Sequence, residues 1–346
     1  MMDKNSKILI TGATGFIGTT LVRQLLADGY RLRCMSRSNP VFPPGFEGDP
    51  KDLWENPNCE HFQGDASDPD SIRKAVKGCR YIFHLAGYAK NYSKDPSIYK
   101  HINIDAMRNV FQTGKEEAVE RIVWTSTIVT LGPTMPGEIG NEDTPRKTDK
   151  YFTEYEETKS IAEKEAFQWI KNGLPLVIVN PTRVYGPGQL SEGNALGRLI
   201  DDYDRGKMPF LPNRGINIGN YVLVDDVAKG HYLAMEKGRI GERYILGGEN
   251  ASLKEFFQII SKITGKKHFQ IPMLVPGPLI FSYMQLYAAK IFGIYPRITP
   301  GWIRTFVADW TYSCDKAKKE LGYSPASLEE GLAKTIDWLY KMRKAV

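Results

Sequence analysis

Tyrosine followed four residues later by lysine occurs at Tyr155–Lys159, Tyr203–Lys207, Tyr312–Lys316 and Tyr340–Lys344. On a helix this spacing puts a phenol and an ammonium on one face, one turn apart. The ammonium lowers the phenol's pKa from about 10 toward neutrality and makes it a usable general acid or base. Four occurrences make the spacing alone a weak signal, so the surroundings must choose. Tyr155 opens a helical pattern that comes after the apolar run Arg121–Thr125. That run leads into Thr125-Ser126-Thr127, hydroxyls placed where a parallel strand would end and ligands collect. Lys207 follows Gly206 in a loop-like stretch, and the last two pairs lie far along the chain, so these three are expected to face solvent.

A second constellation lies near the amino terminus, where the strand-like run Lys7–Ile10 is followed by Gly12-Ala13-Thr14-Gly15-Phe16-Ile17-Gly18 and then a helical pattern. Glycines there let backbone N–H groups approach a pyrophosphate, and the helix N-terminus adds positive potential. The spacing differs from the generic G-x-G-x-x-G, but its place at a first strand–helix junction points to a dinucleotide. The second strand ends in Cys34-Met35-Ser36-Arg37-Ser38, with no acid to take a ribose 2′-hydroxyl. Arg37 there suits a 2′-phosphate, so NADP(H) is favoured over NAD(H), stacking of Arg37 on adenine being the alternative. Asp65 and Ala66, after the third strand, are placed beside adenine, with Asp65 accepting from its amino group. Leu85, Ala86 and Gly87, after the fourth, let backbone pass close to the cofactor, and His84 is read as packed.

These groups need a scaffold. Apolar runs at Lys7–Ile10, Arg31–Met35, Glu60–Gln63, Arg80–Leu85, Arg121–Thr125 and Leu176–Val179 alternate with helical patterns at Phe16–Ala27, Pro69–Lys77, His101–Glu117 and Tyr155–Lys171. Alternation of this kind predicts an α/β doubly wound parallel sheet, a Rossmann fold. Residues 1–190 are assigned to it, with Tyr221–Val224 and Tyr244–Leu246 in 218–250 returning to the sheet. Residues 191–217 and 251–346 are assigned to a smaller mixed substrate-binding lobe.

Together these residues resemble the extended short-chain dehydrogenase/reductase superfamily, NAD-dependent epimerase/dehydratase type. The resemblance also takes in Asn180-Pro181-Thr182-Arg183-Val184-Tyr185-Gly186-Pro187-Gly188 and Val224-Asp225-Asp226-Val227, and so covers nearly the whole chain. Gly241 to Asn250 is most similar to the dihydroflavonol reductase-like, 3β-hydroxysteroid dehydrogenase-like and hopanoid-associated epimerase-named branch. The resemblance implies that Tyr155 exchanges a proton with the substrate oxygen, while Lys159 tunes it and bonds the nicotinamide ribose. The third catalytic hydroxyl falls on Thr127, with Ser126 as its neighbouring candidate. Thr125, Pro181 and Val184 would border the cofactor, and Asn103 either positions the site or faces solvent.

Three functions follow from that likeness: a reductase or dehydrogenase acting on a ketone, aldehyde or secondary alcohol; a nucleotide-sugar epimerase; and an inactive nucleotide sensor. Retention of Tyr155, Lys159 and Thr127 argues against the sensor. Ile128-Val129, where a sugar dehydratase carries Asp-Glu, argues against dehydration.

Composition narrows the rest. The 346 residues are 42% hydrophobic and 25% charged, suited to a packed enzyme. A net charge of +6 comes from scattered lysines and arginines, and the short clusters Arg146–Lys150 and Lys341–Lys344 are read as solvated surface, not a nucleic-acid patch. Cys34, Cys59, Cys79 and Cys314 show no C-x-x-C spacing, so neither disulfides nor a metal site is expected. Met1–Lys7 is polar with no signal-peptide core, which predicts a cytoplasmic protein. Phe269–Ala289 lacks charge, but Pro272, Pro276 and Pro278 leave only about 14 residues, Pro278–Ile291, as helix, short of a span. This segment is expected to wall an apolar substrate pocket, pack the lobe on the sheet, or form a homodimer contact. The lack of a basic face disfavours a peripheral membrane role.

Overall fold

The computed structural model describes residues 2–38 and 53–345. Its centre is a parallel sheet of seven strands: β1 (Lys7–Thr11), β2 (Arg31–Ser36), β3 (Cys59–Gln63), β4 (Cys79–His84), β5 (Arg121–Thr125), β6 (Leu176–Pro181) and a later strand, Arg243–Leu246. The spatial order is Arg243–Leu246, β6, β5, β4, β1, β2, β3. Ile8, Leu9 and Ile10 are fully buried, as a central strand covered on both faces by helices requires. Helices α1 (Phe16–Ala27), α2 (Pro69–Val76), α3 (Ala106–Glu116) and α4 (Glu154–Lys171) make the crossovers. The doubly wound expectation holds.

Register brings the reacting edge together. Thr11 pairs with Met35 on one side and His84 on the other; Thr125 pairs with Val179, and Pro181 with Leu246. The strands therefore end side by side. The chain leaves β1 toward β2 on one flank and β4 on the other, and a crevice opens at such a switch point.

Beyond β6 come β7 (Arg183–Tyr185), α5 (Ala195–Asp204), β8 (Phe210–Pro212), β9 (Ile218–Leu223), α6 (Val224–Lys237), β10 (Arg243–Leu246), β11 (Glu249–Ser252) and α7 (Leu253–Thr264). Strand β10 joins the main sheet as expected. The Tyr221–Val224 run does not. It belongs to β9, the middle strand of a separate three-stranded sheet with β7 and β11, and Val224 already opens α6. Pairing with Arg183–Tyr185 and Glu249–Ser252 satisfies the β9 backbone away from the main sheet.

The carboxy-terminal lobe has its own aromatic core, in which Tyr203 stacks on Phe257 at 4.4 Å and Tyr221 on Phe256 at 4.6 Å. It ends with β12 (Ile271–Met273), α8 (Pro276–Phe292), α9 (Pro300–Phe306), α10 (Asp315–Leu321) and α11 (Leu328–Ala345). Helix α8 starts two residues earlier than expected, because Pro276 and Pro278 fall in its first turn, where a missing N–H costs nothing. The helix predicted over His101–Glu117 is preceded by one turn at Ser97–Lys100 and wound as a π-turn over His101–Asp105.

Candidate functional site

The glycine loop is built for contact between backbones. Gly12 has φ +72°, and a Cβ on it would lie 2.7 Å from the Ala86 nitrogen. A Cβ on Gly18 would sit 2.1 Å from the Gly12 carbonyl oxygen, so α1 can rest on the loop only with glycine there. Gly15, by contrast, is exposed and caps α1 without any side chain. The first turn of that helix holds no acid. Its end therefore keeps its partial positive charge and its free amides.

The cleft in front of this loop is lined by Gly12, Thr14, Gly15, Met35, Ser36, Arg37, Gly64, Asp65, Ala66, Leu85, Ala86, Gly87 and Tyr88. Thus most of the residues assigned to a cofactor come together in one place. The Thr11 hydroxyl, 2.6 Å from His84 Nδ1, also accepts from the Ala86 nitrogen at 3.3 Å and ties the β1 and β4 ends together. Burial pushes the His84 pKa down to about 3, assisted by the Lys159 charge, so the ring is neutral and packed. Asp65 Oδ1 accepts from the Ser67 nitrogen and hydroxyl at 2.9 and 2.8 Å. Arg37 is exposed at the cleft, and Ser36 Oγ donates to the Ser38 carbonyl at 2.7 Å.

Other assigned residues lie off the cleft wall. The side chains of Phe16 and Ile17 turn into protein: a Cβ on Gly188 would meet the Phe16 ring at 2.9 Å, and Ile17 packs on the main core. Pro181 is buried at the end of β6, and Val184 packs on the same core from β7.

The acid–base group sits along the edge, at β5 and the start of α4. Thr153 caps α4, accepting from the Glu156 nitrogen at 3.1 Å, and Glu154, Glu156 and Glu157 complement the helix N-terminus. Thr127 hydrogen-bonds the Tyr155 phenol, whereas the Ser126 hydroxyl is buried without a hydrogen-bond partner. Lys159 Nζ donates to the Thr125 carbonyl at 2.8 Å and lies 4.3 Å from the centre of the Trp124 ring. The Thr125 hydroxyl is held by His231 Nε2 at 2.8 Å.

The electrostatics differ from the simple picture of an ammonium acidifying a phenol. Burial raises the Tyr155 pKa, and Thr127 pulls the other way. Lys159 is itself pushed down to about 7 by burial, with the Glu163 carboxylate opposing the fall. At neutral pH Tyr155 is a protonated donor.

Three supporting groups carry weak sequence signals. Asn103 is buried in the π-turn; it accepts from the Tyr88 nitrogen at 2.7 Å and donates to Thr158 Oγ1 at 3.1 Å, clamping the loop after β4 to α4. The solvent-facing alternative for Asn103 is thereby excluded. Glu163 accepts from Asn180 at 2.7 Å, Thr130 at 3.0 Å and Arg243 at 2.9 Å; its position four residues after Lys159 was the available clue. Arg146, read as solvated surface, is instead part-buried and paired with the buried Glu156 at 2.5 Å. Arg343, from the other cluster, pairs with Asp201 and Asp204 at 2.5 Å.

Of the remaining tyrosine–lysine pairs, Lys207 and Lys344 face solvent as expected, but the tyrosines do not. Tyr203 is buried against Phe257, with its hydroxyl 2.6 Å from Ser261 Oγ. Tyr312 donates to the Gly132 carbonyl at 2.6 Å, and Tyr340 to Asp204 at 2.9 Å. None touches the sheet edge that carries Tyr155.

A glycine-cradled helix end at the switch point of a parallel sheet, beside a half-buried tyrosine and a buried lysine and hydroxyl, defines a nucleotide-dependent oxidoreductase class. Residues 8–247 match the model of the NAD dependent epimerase/dehydratase family, to which this chain belongs as an extended short-chain dehydrogenase/reductase. A Synechocystis sp. protein provisionally named dihydroflavonol 4-reductase is 30% identical over 333 residues, covering 95% of this chain and 93% of its own. The mouse protein named sterol-4-alpha-carboxylate 3-dehydrogenase, decarboxylating, is 28% identical over 358 residues, covering 99% and 93%. The crystal structure of gox2253 superposes with a TM-score of 0.81 at 34% identity, covering 97% of this chain and 98% of that one. The chain is an NAD(P)-dependent enzyme of that class.

Proposed function

We propose that this enzyme interconverts a carbonyl compound and its secondary or primary alcohol, with NADP(H) preferred and Thr127, Tyr155 and Lys159 as the reacting set. The observation that carries the reading is the protonated, half-buried Tyr155 beside Thr127 at the carboxyl edge of the sheet. Bound nicotinamide supplies or accepts the hydride. In the reducing direction Tyr155 gives its proton to the carbonyl oxygen as that oxygen gains negative charge. Thr127 holds the same oxygen, and Lys159 lies on the face of α4 where it can position a ribose hydroxyl and restore charge balance. The uncapped end of α1, Gly15 and Gly87 leave room for a pyrophosphate, so the residues present fit a dinucleotide.

NADP(H) is supported by Arg37 and Ser36 at the end of β2 and by the lack of an acid there. An apolar substrate is supported by the sterol named in the mouse relative, not by Ile271–Tyr283. That segment lies outward instead of walling the cleft: Leu274 and Ile280 are exposed, at 62% and 63%. The test is a substrate panel at fixed cofactor that sets nucleotide sugars against apolar ketones, aldehydes and their alcohols, alongside titration with both nucleotides. Turnover of apolar carbonyls with NADPH is expected, and Arg37→Ala should erase most of the nucleotide preference. Turnover of a nucleotide sugar alone would replace this reading with epimerisation, and equal binding of NADH by the wild type would remove the NADP assignment.

A further inference from the structure

Helix α8 is inverted relative to an ordinary surface helix. Its inward side is Pro278, Ser282 and Ala289, all buried, and Gln285 on the same side accepts from the Arg297 nitrogen at 2.9 Å. On the opposite side Ile280, Phe281, Met284, Tyr287 and Ile291 recur at steps of three and four, each more than half exposed. Charged side chains normally occupy that side, and a contiguous exposed apolar surface marks a contact.

Positive charge predominates around it. No Asp or Glu occurs between Glu255 and Asp309, an interval that contains Lys262, Lys266, Lys267, Lys290, Arg297 and Arg304. Lys262 and Lys266 are paired with Glu329 and Asp204. Lys267, Lys290, Arg297 and Arg304 are exposed; Arg304 donates to the Tyr283 hydroxyl at 2.8 Å and lies 5.9 Å from the centre of that ring, and among the described residues no carboxylate pairs with it. Lys94 adds a further ammonium beside Gly293, where α8 ends. At the far end of this surface the Glu192 carboxylate accepts from the Tyr295 hydroxyl at 2.7 Å.

We propose that α8 docks this enzyme in plane on an anionic phospholipid surface. The outward residues enter the headgroup–acyl boundary and the surrounding lysines and arginines meet lipid phosphates. A second copy of the chain fits less well, because a two-fold contact sets the patch against itself, exposed cation against exposed cation, with the Glu192 carboxylate only at its far end. Spanning is not involved: no described helix is long and apolar enough to cross a membrane. The helix itself carries only Lys290; the other cations come from flanking loops and α9, which is why its own sequence shows no basic face. Helix α9 connects this surface to the chemistry. A Cβ on Gly301 would come 2.3 Å from the Phe152 carbonyl, just before the helix that carries Tyr155. A lipid-dissolved substrate would therefore reach the site without crossing bulk water. That consequence rests on the apolar-substrate reading, whereas the docking itself does not.

The experiment is co-sedimentation of the full chain with vesicles of phosphatidylcholine, alone or mixed with phosphatidylserine, at low and high salt. Wild type should pellet with the mixed vesicles, and less so at high salt. Ile280→Glu combined with Met284→Glu should lower partitioning at least about tenfold, and Lys290→Glu with Arg297→Glu about threefold or more. NADPH binding, followed by cofactor fluorescence, should stay unchanged in both variants and so report an intact fold. Failure of wild type to pellet with anionic vesicles, or pelleting unaffected by the Ile280/Met284 changes, overturns the proposal. If wild type sediments as a dimer without vesicle association and the Ile280/Met284 variant as a monomer, the face belongs to a second copy.

Discussion

Tyr155–Lys159 and Tyr312–Lys316 have the same spacing, and both lysines lie over an aromatic ring, yet the hydrogen bonds and ion pairs around them differ. The Tyr312 hydroxyl is committed to the Gly132 carbonyl, and Lys316 is paired with Glu242 at 2.7 Å. Tyr312 also precedes α10, so the two residues do not share a helical face. Tyr155 and Lys159 both lie on α4. The phenol meets another hydroxyl, and the ammonium donates to a carbonyl where that of Lys316 is held by a carboxylate. A satisfied pair holds structure; a pair left short of partners retains capacity for a ligand.

Removing each phenol is the strongest way to break this comparison. Tyr155→Phe should cut kcat by about 1,000-fold or more while nucleotide affinity stays within about twofold, since only the transferable proton is lost. Tyr312→Phe should leave kcat nearly unchanged and instead cost about 1–3 kcal/mol in denaturant unfolding, because a buried carbonyl loses its donor. Steady-state kinetics and urea melts on both variants decide it. If Tyr312→Phe abolishes turnover in a folded protein, the assignment of roles is reversed.

Glu163 gives the next largest effect. Its carboxylate opposes the burial that lowers the Lys159 pKa. Glu163→Gln should therefore move the alkaline limb of the pH–rate profile toward lower pH, with activity above that limb falling about tenfold. A profile that drops uniformly without shifting would reduce Glu163 to a packing residue.

The smallest effect is on stability. Lys159 has a pKa of about 7 in the fold against an ordinary 10.5. Between those values the unfolded chain still binds a proton that the folded chain has released, so unfolding becomes harder as pH rises through the window. Below about pH 7 both states are protonated and the cost of burying the charge is paid in full. Lys159→Met should flatten this rise in Tm of the nucleotide-free protein, while Lys316→Met should not.

The phosphate loop and the choice of Tyr155 were legible because both depend on local order along the chain: a strand, a glycine turn, a helix. Chemistry set by distant contacts was not legible. Nothing near Tyr221 indicates that β9 pairs with Arg183–Tyr185 and Glu249–Ser252, since a short apolar run fits any sheet with an open neighbour. Trp124 and His231 hold Lys159 and Thr125 through approaches that no spacing encodes. Asn103 could be judged only once the loop at Tyr88 was in place. The apolar run in α8 has hydrophobic residues on both sides, so periodicity could not say which side the protein covers.

The contact at Gly12 also limits how this chain can diverge. A side chain there would strike the backbone of Leu85 and Ala86, at 2.8 and 2.7 Å, rather than another side chain. At Gly64 the obstructing atoms belong to Ser71, Met35 and Phe62, side chains that a second substitution can shorten. A suppressor screen should therefore rescue Gly64→Ala through changes at Met35, Phe62 or Ser71. For Gly12→Ala no replacement of Leu85 or Ala86 moves the offending atoms, so reversion is the expected outcome. That position is held by the path of the backbone, and no covarying partner should accompany it in related chains.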